Sequence, residues 1–155
     1  MCLCGRRRAR RRCAECGVAV ARHETAVRDA LEADYRLHGF VWDARATGQR
    51  LAPRAARARR PDFLWTFEAA CVALEVDENE HAGYDAADEE RRKREIERAL
   101  GRPVLWVRVR VARGATHEAT GLAVVAAADN IAELISLARK KVGDSKTKDL
   151  TIRAR

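Results

Sequence analysis

The chain has 155 residues, of which 47% are hydrophobic and 35% charged, and its formal net charge is +8. That length suits one domain with a small appendage. The composition excludes collagen-like and wholly disordered chains, and no apolar run nears the roughly 20 residues of a membrane helix.

Residues 1–20 carry Cys2, Cys4, Cys13 and Cys16 in the spacing C-x-C-x8-C-x2-C. Two thiolate pairs this close can meet around one tetrahedral zinc ion, so a structural Zn2+ knuckle is expected here, with His23 as a substitute ligand. Six arginines lie between the pairs, Arg6, Arg7 and Arg8 among them, and nearby positive charge favours the thiolate form. The other readings of these residues are a chance C-x-C start or the stub of a longer cysteine-rich region. An arginine cluster without a following apolar stretch is unlike a secretory signal, so an intracellular, non-secreted protein without disulfides is expected.

Residues 24–38 read as a helix, with Val27, Ala30, Leu31 and Tyr35 on one stripe. Phe40, Val41 and Trp42 form a short apolar segment, and residues 44–60 read as a loop or ragged hairpin. Phe63 to Phe67 reads as a strand entered through Pro61. Cys71 to Val76 is a near-continuous apolar run that fits a strand covered on both faces. Glu68, Ala69 and Ala70 are few enough to be the turn of a hairpin. Residues 86–100 read as a charged helix with pairs Glu89–Lys93 and Glu90–Arg94 at i,i+4, stopped by Gly101. Val104 to Val111 alternates clearly and reads as a strand. Residues 112–120 read as a loop. Asn130 with Glu133 resembles a capping box for a last helix, Ile131 to Val142. From Asp144 onward a disordered basic tail is expected. The fold expected is α/β, a mixed central sheet flanked by helices, over residues 21–143.

The charge is unevenly placed. Residues 1–60 hold 15 Arg against 6 acids, residues 61–100 hold 5 bases against 12 acids, and residues 101–155 hold 11 bases against 5 acids. An acidic island between basic flanks suits a divalent-cation site on a phosphate-binding surface. It equally suits a solubilising surface with a basic tail. Glu75 and Asp77 lie two apart at the end of the apolar run and so share a face. Asp62 begins the preceding strand, and a hairpin brings Asp62 and Glu75 to one sheet end. Three carboxylates gathered there repel one another unless a cation such as Mg2+ or Mn2+ binds them. His81 lies four residues beyond Asp77, with an ordinary pKa of ~6.5 that suits acid–base work or a polar loop cap. Arg92 lies three residues after Glu89, which also fits a plain i,i+3 ion pair. Trp42, Trp65 and Trp106 read as core, and Cys71 as a small buried apolar residue.

These residues carry a resemblance. Arg60-Pro61-Asp62, then a strand ending Glu75-Val76-Asp77, resembles the PD-(D/E)XK nuclease superfamily, in particular its compact branch of very-short-patch repair endonucleases. The segments RRPDFL, EVDENEHAGYDAADEERRKREI and RPVLWVRV are similar to nuclease-like proteins of large DNA viruses and protists. The likeness covers roughly residues 24–111. It implies a restriction-endonuclease-like domain and Mg2+-dependent hydrolysis of phosphodiester bonds, with DNA as partner, no organic cofactor and no membrane. It implies Asp62 and Glu75 as metal ligands with the Val76 carbonyl, Asp77 as a further ligand, and His81 and Arg92 as catalytic residues. Arg6, Arg7, Arg8, Arg59 and Arg60 are the expected phosphate contacts. Two features depart from the superfamily. Its lysine, two residues after the glutamate, is Asp77 here, and Arg108-Val109-Arg110-Val111 replaces the usual turn after the last core strand. The alternatives that follow are a nucleic-acid-binding module without turnover, or a zinc-stabilised interaction adaptor.

Overall fold

The computed structural model describes residues 22–42, 61–78, 86–140 and 149–155. Five strands form one mixed sheet in the order β1 (Val41–Trp42), β2 (Phe63–Thr66), β3 (Cys71–Glu78), β4 (Val104–Val111) and β5 (Leu150–Ala154). The first three are antiparallel neighbours; β3, β4 and β5 run parallel. Parallel neighbours need long crossovers. Helix α2 (Ala86–Leu100) makes the first, and helices α3 (His117–Ala126) and α4 (Ala128–Arg139) make the second. Helix α1 (Arg22–Ala33) and a short 3-10 turn, Tyr35–Leu37, precede the sheet.

The alternation of side chains divides the core in two. Phe63, Trp65, Val72, Leu74, Leu105, Val107, Val109 and Ile152 pack with Val27 and Leu31 of α1, Val124 of α3 and Ile131 and Ile135 of α4. The opposite face buries Leu64, Cys71, Ala73, Val104 and Trp106 against Ile96 of α2. Helix α2 has only that one buried residue, so its cover ends partway along the strands. Beyond the cover the same face continues as Glu75 and Asp77 on β3, Arg108 and Arg110 on β4, and Arg153 on β5. Trp65 and Trp106 are core, as expected, and Trp65 Nε1 donates to the Leu37 carbonyl at 2.8 Å. Trp42 is partly buried and lies under the Arg28 guanidinium, 4.7 Å from its ring.

Three expectations are corrected. Residues 112–120 are not all loop: Thr116 caps α3 by accepting the Ala119 N–H at 3.1 Å. The last helix begins at Ala128, so Asn130 lies inside it and there is no capping box. Only Ala127 separates α3 from α4, and its N–H reaches the Ala123 and Val124 carbonyls at 3.2 and 3.1 Å. The backbone itself supplies what a cap would. Finally, the disordered tail expected from Asp144 is wrong for residues 150–154, and the domain does not stop at residue 143. Leu150, Ile152 and Ala154 alternate inward, and β5 pairs with β4 from Val107↔Leu150 to Val111↔Ala154. No single described helix is long and apolar enough to cross a membrane.

Candidate functional site

The β2–β3 hairpin aligns Phe63 with Leu74, so residue 62 falls opposite residue 75. Asp62 Oδ2 accepts the Val76 N–H at 2.7 Å, which fixes the carboxylate to the neighbouring strand. Burial pushes the Asp62 carboxyl above its usual range. The Val76 N–H, a hydrogen bond with Glu24 of α1 and the charge of Arg92 oppose that shift, and the nearby Asp77 adds to it.

Glu75 is only 5% exposed, and it is the one buried carboxylate among the described residues. Its Oε2 accepts from Arg92 Nη1 at 2.8 Å. Its Oε1 meets Arg92 Nη2 in an ion pair, so both carboxylate oxygens face the Arg92 guanidinium. Burial raises the Glu75 pKa; Arg92 offsets this in part, while Glu89 and Asp62 push it further up. Burial alone would lower the Arg92 pKa, but Glu75, Glu89 and Asp62 together hold it above its ordinary value.

Arg108 enters from β4. Its guanidinium lies 3.6 Å from Glu75 Oε2 and 3.5 Å from Asp77 Oδ2, and it is hydrogen-bonded to Glu89. Glu89 also stands 3.8 Å from Arg92. Asp62, Glu75, Asp77 and Glu89 are thus gathered around Arg92 and Arg108. Among the described residues, these four carboxylates against two guanidiniums leave two excess negative charges when all are ionised. That excess and the oxygen-only donor set fit a hard divalent cation. Among the described residues, however, no three His, Cys, Asp or Glu side chains are placed to hold a metal ion. The donors that fit are the Asp62 and Glu75 carboxylates.

The sequence expectations for Asp62, Glu75, Asp77 and Arg92 converge here. Arg92 turns to Glu75 more closely than to Glu89, so the plain i,i+3 pair is the lesser of its contacts. The pair Glu89–Lys93 is replaced: Lys93 reaches Asp149 at 2.7 Å and Glu89 reaches Arg108. His81, Cys2, Cys4, Cys13, Cys16, Arg6, Arg7, Arg8, Arg59 and Arg60 lie outside the described residues, and with them the zinc knuckle. His23 hydrogen-bonds Thr120 of α3 through Nδ1 at 2.8 Å and stacks edge-on against His117. Sequence reasoning missed Glu24 and assigned no role to Glu89 or Arg108 at the site. The alternation of β4 could have found Arg108, because it shares a face with Trp106; nothing local marks Glu24, which arrives through the docking of α1.

Comparison with protein-family models, with curated proteins and with solved structures finds no match for this chain.

Proposed function

We propose that this protein is a metal-dependent endonuclease that hydrolyses phosphodiester bonds, in DNA by preference, on a restriction-endonuclease-like fold. The observation that carries the reading is the buried carboxylate Glu75, held opposite Asp62 with further carboxylates around it. The resemblance of RRPD and EVDENEH to the PD-(D/E)XK pattern supports it.

Asp62 and Glu75 would hold Mg2+ or Mn2+. When bound, such an ion polarises a phosphate oxygen and lowers the pKa of a water. The chain's own residues do the remainder. The Val76 N–H fixes the rotamer of Asp62. Arg92, on helix α2, holds Glu75 in place and would keep a guanidinium beside the reacting phosphate. Arg92 and Arg108 together provide the positive charge that the superfamily lysine supplies, since Asp77 stands at that position and is paired with Arg108. His81 is the proposed acid–base group, and Asp77 tunes Arg108 or contacts a second ion.

A second reading has one observation in its favour: the carboxylates are already neutralised in part by two arginines, as suits a binding module that keeps the fold without turnover. Nicking of supercoiled plasmid separates the two. Wild type nicks in Mg2+ or Mn2+ and stops in chelator, while Asp62→Asn and Glu75→Gln lose nicking by about a hundredfold or more. Nicking that persists in both variants, or none in wild type with either ion, overturns the hydrolase.

A further inference from the structure

The two arginines that follow Glu75 and Asp77 across the sheet are unequal. Arg108 is consumed by carboxylates; Arg110 is not. Arg110, Arg113, Arg153 and Arg155 line one cavity of about 560 Å3, together with Thr116 and Gly114. None of the four has an acidic partner among the described residues.

The fold creates this concentration by register. Arg110 on β4 lies directly beside Arg153 on β5, and both are exposed on the face that carries Asp77. Like charges facing each other on neighbouring strands are destabilising. A turn then brings in Arg113: the Ala115 N–H bonds the Ala112 carbonyl at 3.0 Å, and Gly114 takes φ +86°, open to glycine and strained for other residues. The Ala112 N–H to the Ala154 carbonyl, at 2.9 Å, ties the turn to β5. Thr116 and Ala119 close the cavity with the first turn of α3, whose dipole is positive there. A volume of this size falls in the range of ligand sites, roughly 300–1,000 Å3. Guanidinium forks match the oxygen geometry of a phosphate. Strand β4 with the turn after it, and strand β5 with the residue after it, therefore deliver four guanidiniums to one concave place.

We infer that this cavity holds a backbone phosphate of a nucleic-acid strand that also passes Asp62 and Glu75. The inference rests on the hydrolase reading for that second half alone. Asp77 and Arg110 are cross-strand neighbours, and Arg153 is one strand further. Glu75 lies two strands across and two residues along from Arg153, so at roughly 4.8 Å per strand and 3.3 Å per residue the cavity is ~12 Å from Glu75, more than one nucleotide away. A strand crossing from the acidic rim to the cavity meets Arg108, then Arg110, then Arg153. Binding energy gathered at the cavity would position the scissile bond without touching it.

The test is anisotropy of a short fluorescein-labelled DNA strand with the full chain, in chelator so that no hydrolysis occurs, over a range of salt. Arg110→Gln/Arg153→Gln is expected to weaken binding about tenfold and to reduce the log–log salt slope by about 2, against no change for Arg98→Gln on α2. Arg153→Thr is expected to raise the Tm of the free protein at low ionic strength while weakening the strand, which a purely structural arginine would not do. Equal affinity and equal slope in wild type and the double variant overturn the inference. So does thermal stabilisation by inorganic phosphate without strand binding, or co-sedimentation with phosphatidylserine vesicles in its place. Arginine-dependent strand binding with no nicking by wild type leaves the cavity standing and removes the hydrolase. Nicking with arginine-independent binding does the reverse.

Discussion

Asp62 and Val76 are joined across the β2–β3 hairpin by a 2.7 Å hydrogen bond from backbone to carboxylate. The bond does two things at once. It satisfies a strand N–H near the sheet end, and it aims Asp62 at Glu75. The site therefore depends on strand register, because a one-residue slip would turn Glu75 to the opposite face.

Asp62→Asn and Asp62→Ala should part in opposite directions. Asparagine keeps an oxygen for the Val76 N–H and removes a carboxyl that burial holds above its usual pKa. Folded Asp62 and Glu75 bind protons more tightly than the unfolded chain, whose carboxyls titrate near ~4. The contribution of these two groups to wild-type stability accordingly falls as pH climbs from that value through the raised native values, then levels. Asp62→Asn flattens this decline and keeps the Tm at neutral pH at or above wild type. Asp62→Ala strands the Val76 N–H and costs about 1–3 kcal/mol. Thermal melts across roughly pH 4 to 8 check both; a lower neutral Tm for Asp62→Asn would show the carboxylate to be stabilising.

Arg92 gives the converse case. Removing it leaves Glu75 buried with only the more distant Arg108 to answer it. Arg92→Met should cost about 3 kcal/mol at neutral pH, the low end for breaking a buried pair. The loss should shrink in acid, as Glu75 protonates, and Glu75→Gln should recover most of it. Urea denaturation of the single and double variants measures the coupling; additive losses would mean that the pair contributes nothing.

Much of this was legible in the sequence where local pattern and tertiary role agree. Helix α2 spans residues 86–100 and β4 residues 104–111, as read, because Gly101 breaks the helix and strict alternation marks the strand. The hairpin and the meeting of Asp62 with Glu75 follow from two apolar runs and three intervening residues. Helix α3 was missed because its apolar residues lack a stripe: Leu122 and Val125 are exposed while Thr120 is buried. A solvent-facing Leu beside a buried Thr defeats any periodicity reading. Strand β5 was missed because Leu-Thr-Ile-Arg-Ala is short, ends the chain and follows a lysine-rich segment; its inward residues only gain meaning once β4 offers an edge. Glu24 was illegible for the same reason, since α1 brings it to Asp62 only through packing.

Strand β5 can be weighed directly. Ile152 is 6% exposed and belongs to the larger core cluster. Ile152→Ala should cost about 3 kcal/mol, as truncations of buried Ile do. In a solvated tail the same change stays within about 0.5 kcal/mol. Thermal or urea unfolding decides between the two figures, and the smaller one would detach β5 from the sheet.

The position of Asp77 offers the sharpest comparison with the PD-(D/E)XK pattern, which has lysine there. Asp77 sits 3.5 Å from Arg108 and is the cross-strand neighbour of Arg110. The lysine introduced by Asp77→Lys would face both guanidiniums, and like charges opposed on neighbouring strands destabilise by roughly 0.2–1 kcal/mol per pair. Asp77→Lys is therefore expected to lower the Tm and leave nicking no faster. Adding Arg108→Gln removes one of the opposing charges, so Asp77→Lys/Arg108→Gln should regain Tm and nick at least as fast as Asp77→Lys alone. If Asp77→Lys by itself raises both Tm and nicking, then Arg108 does not stand in for the missing lysine, and the positive charge at the site was in deficit all along.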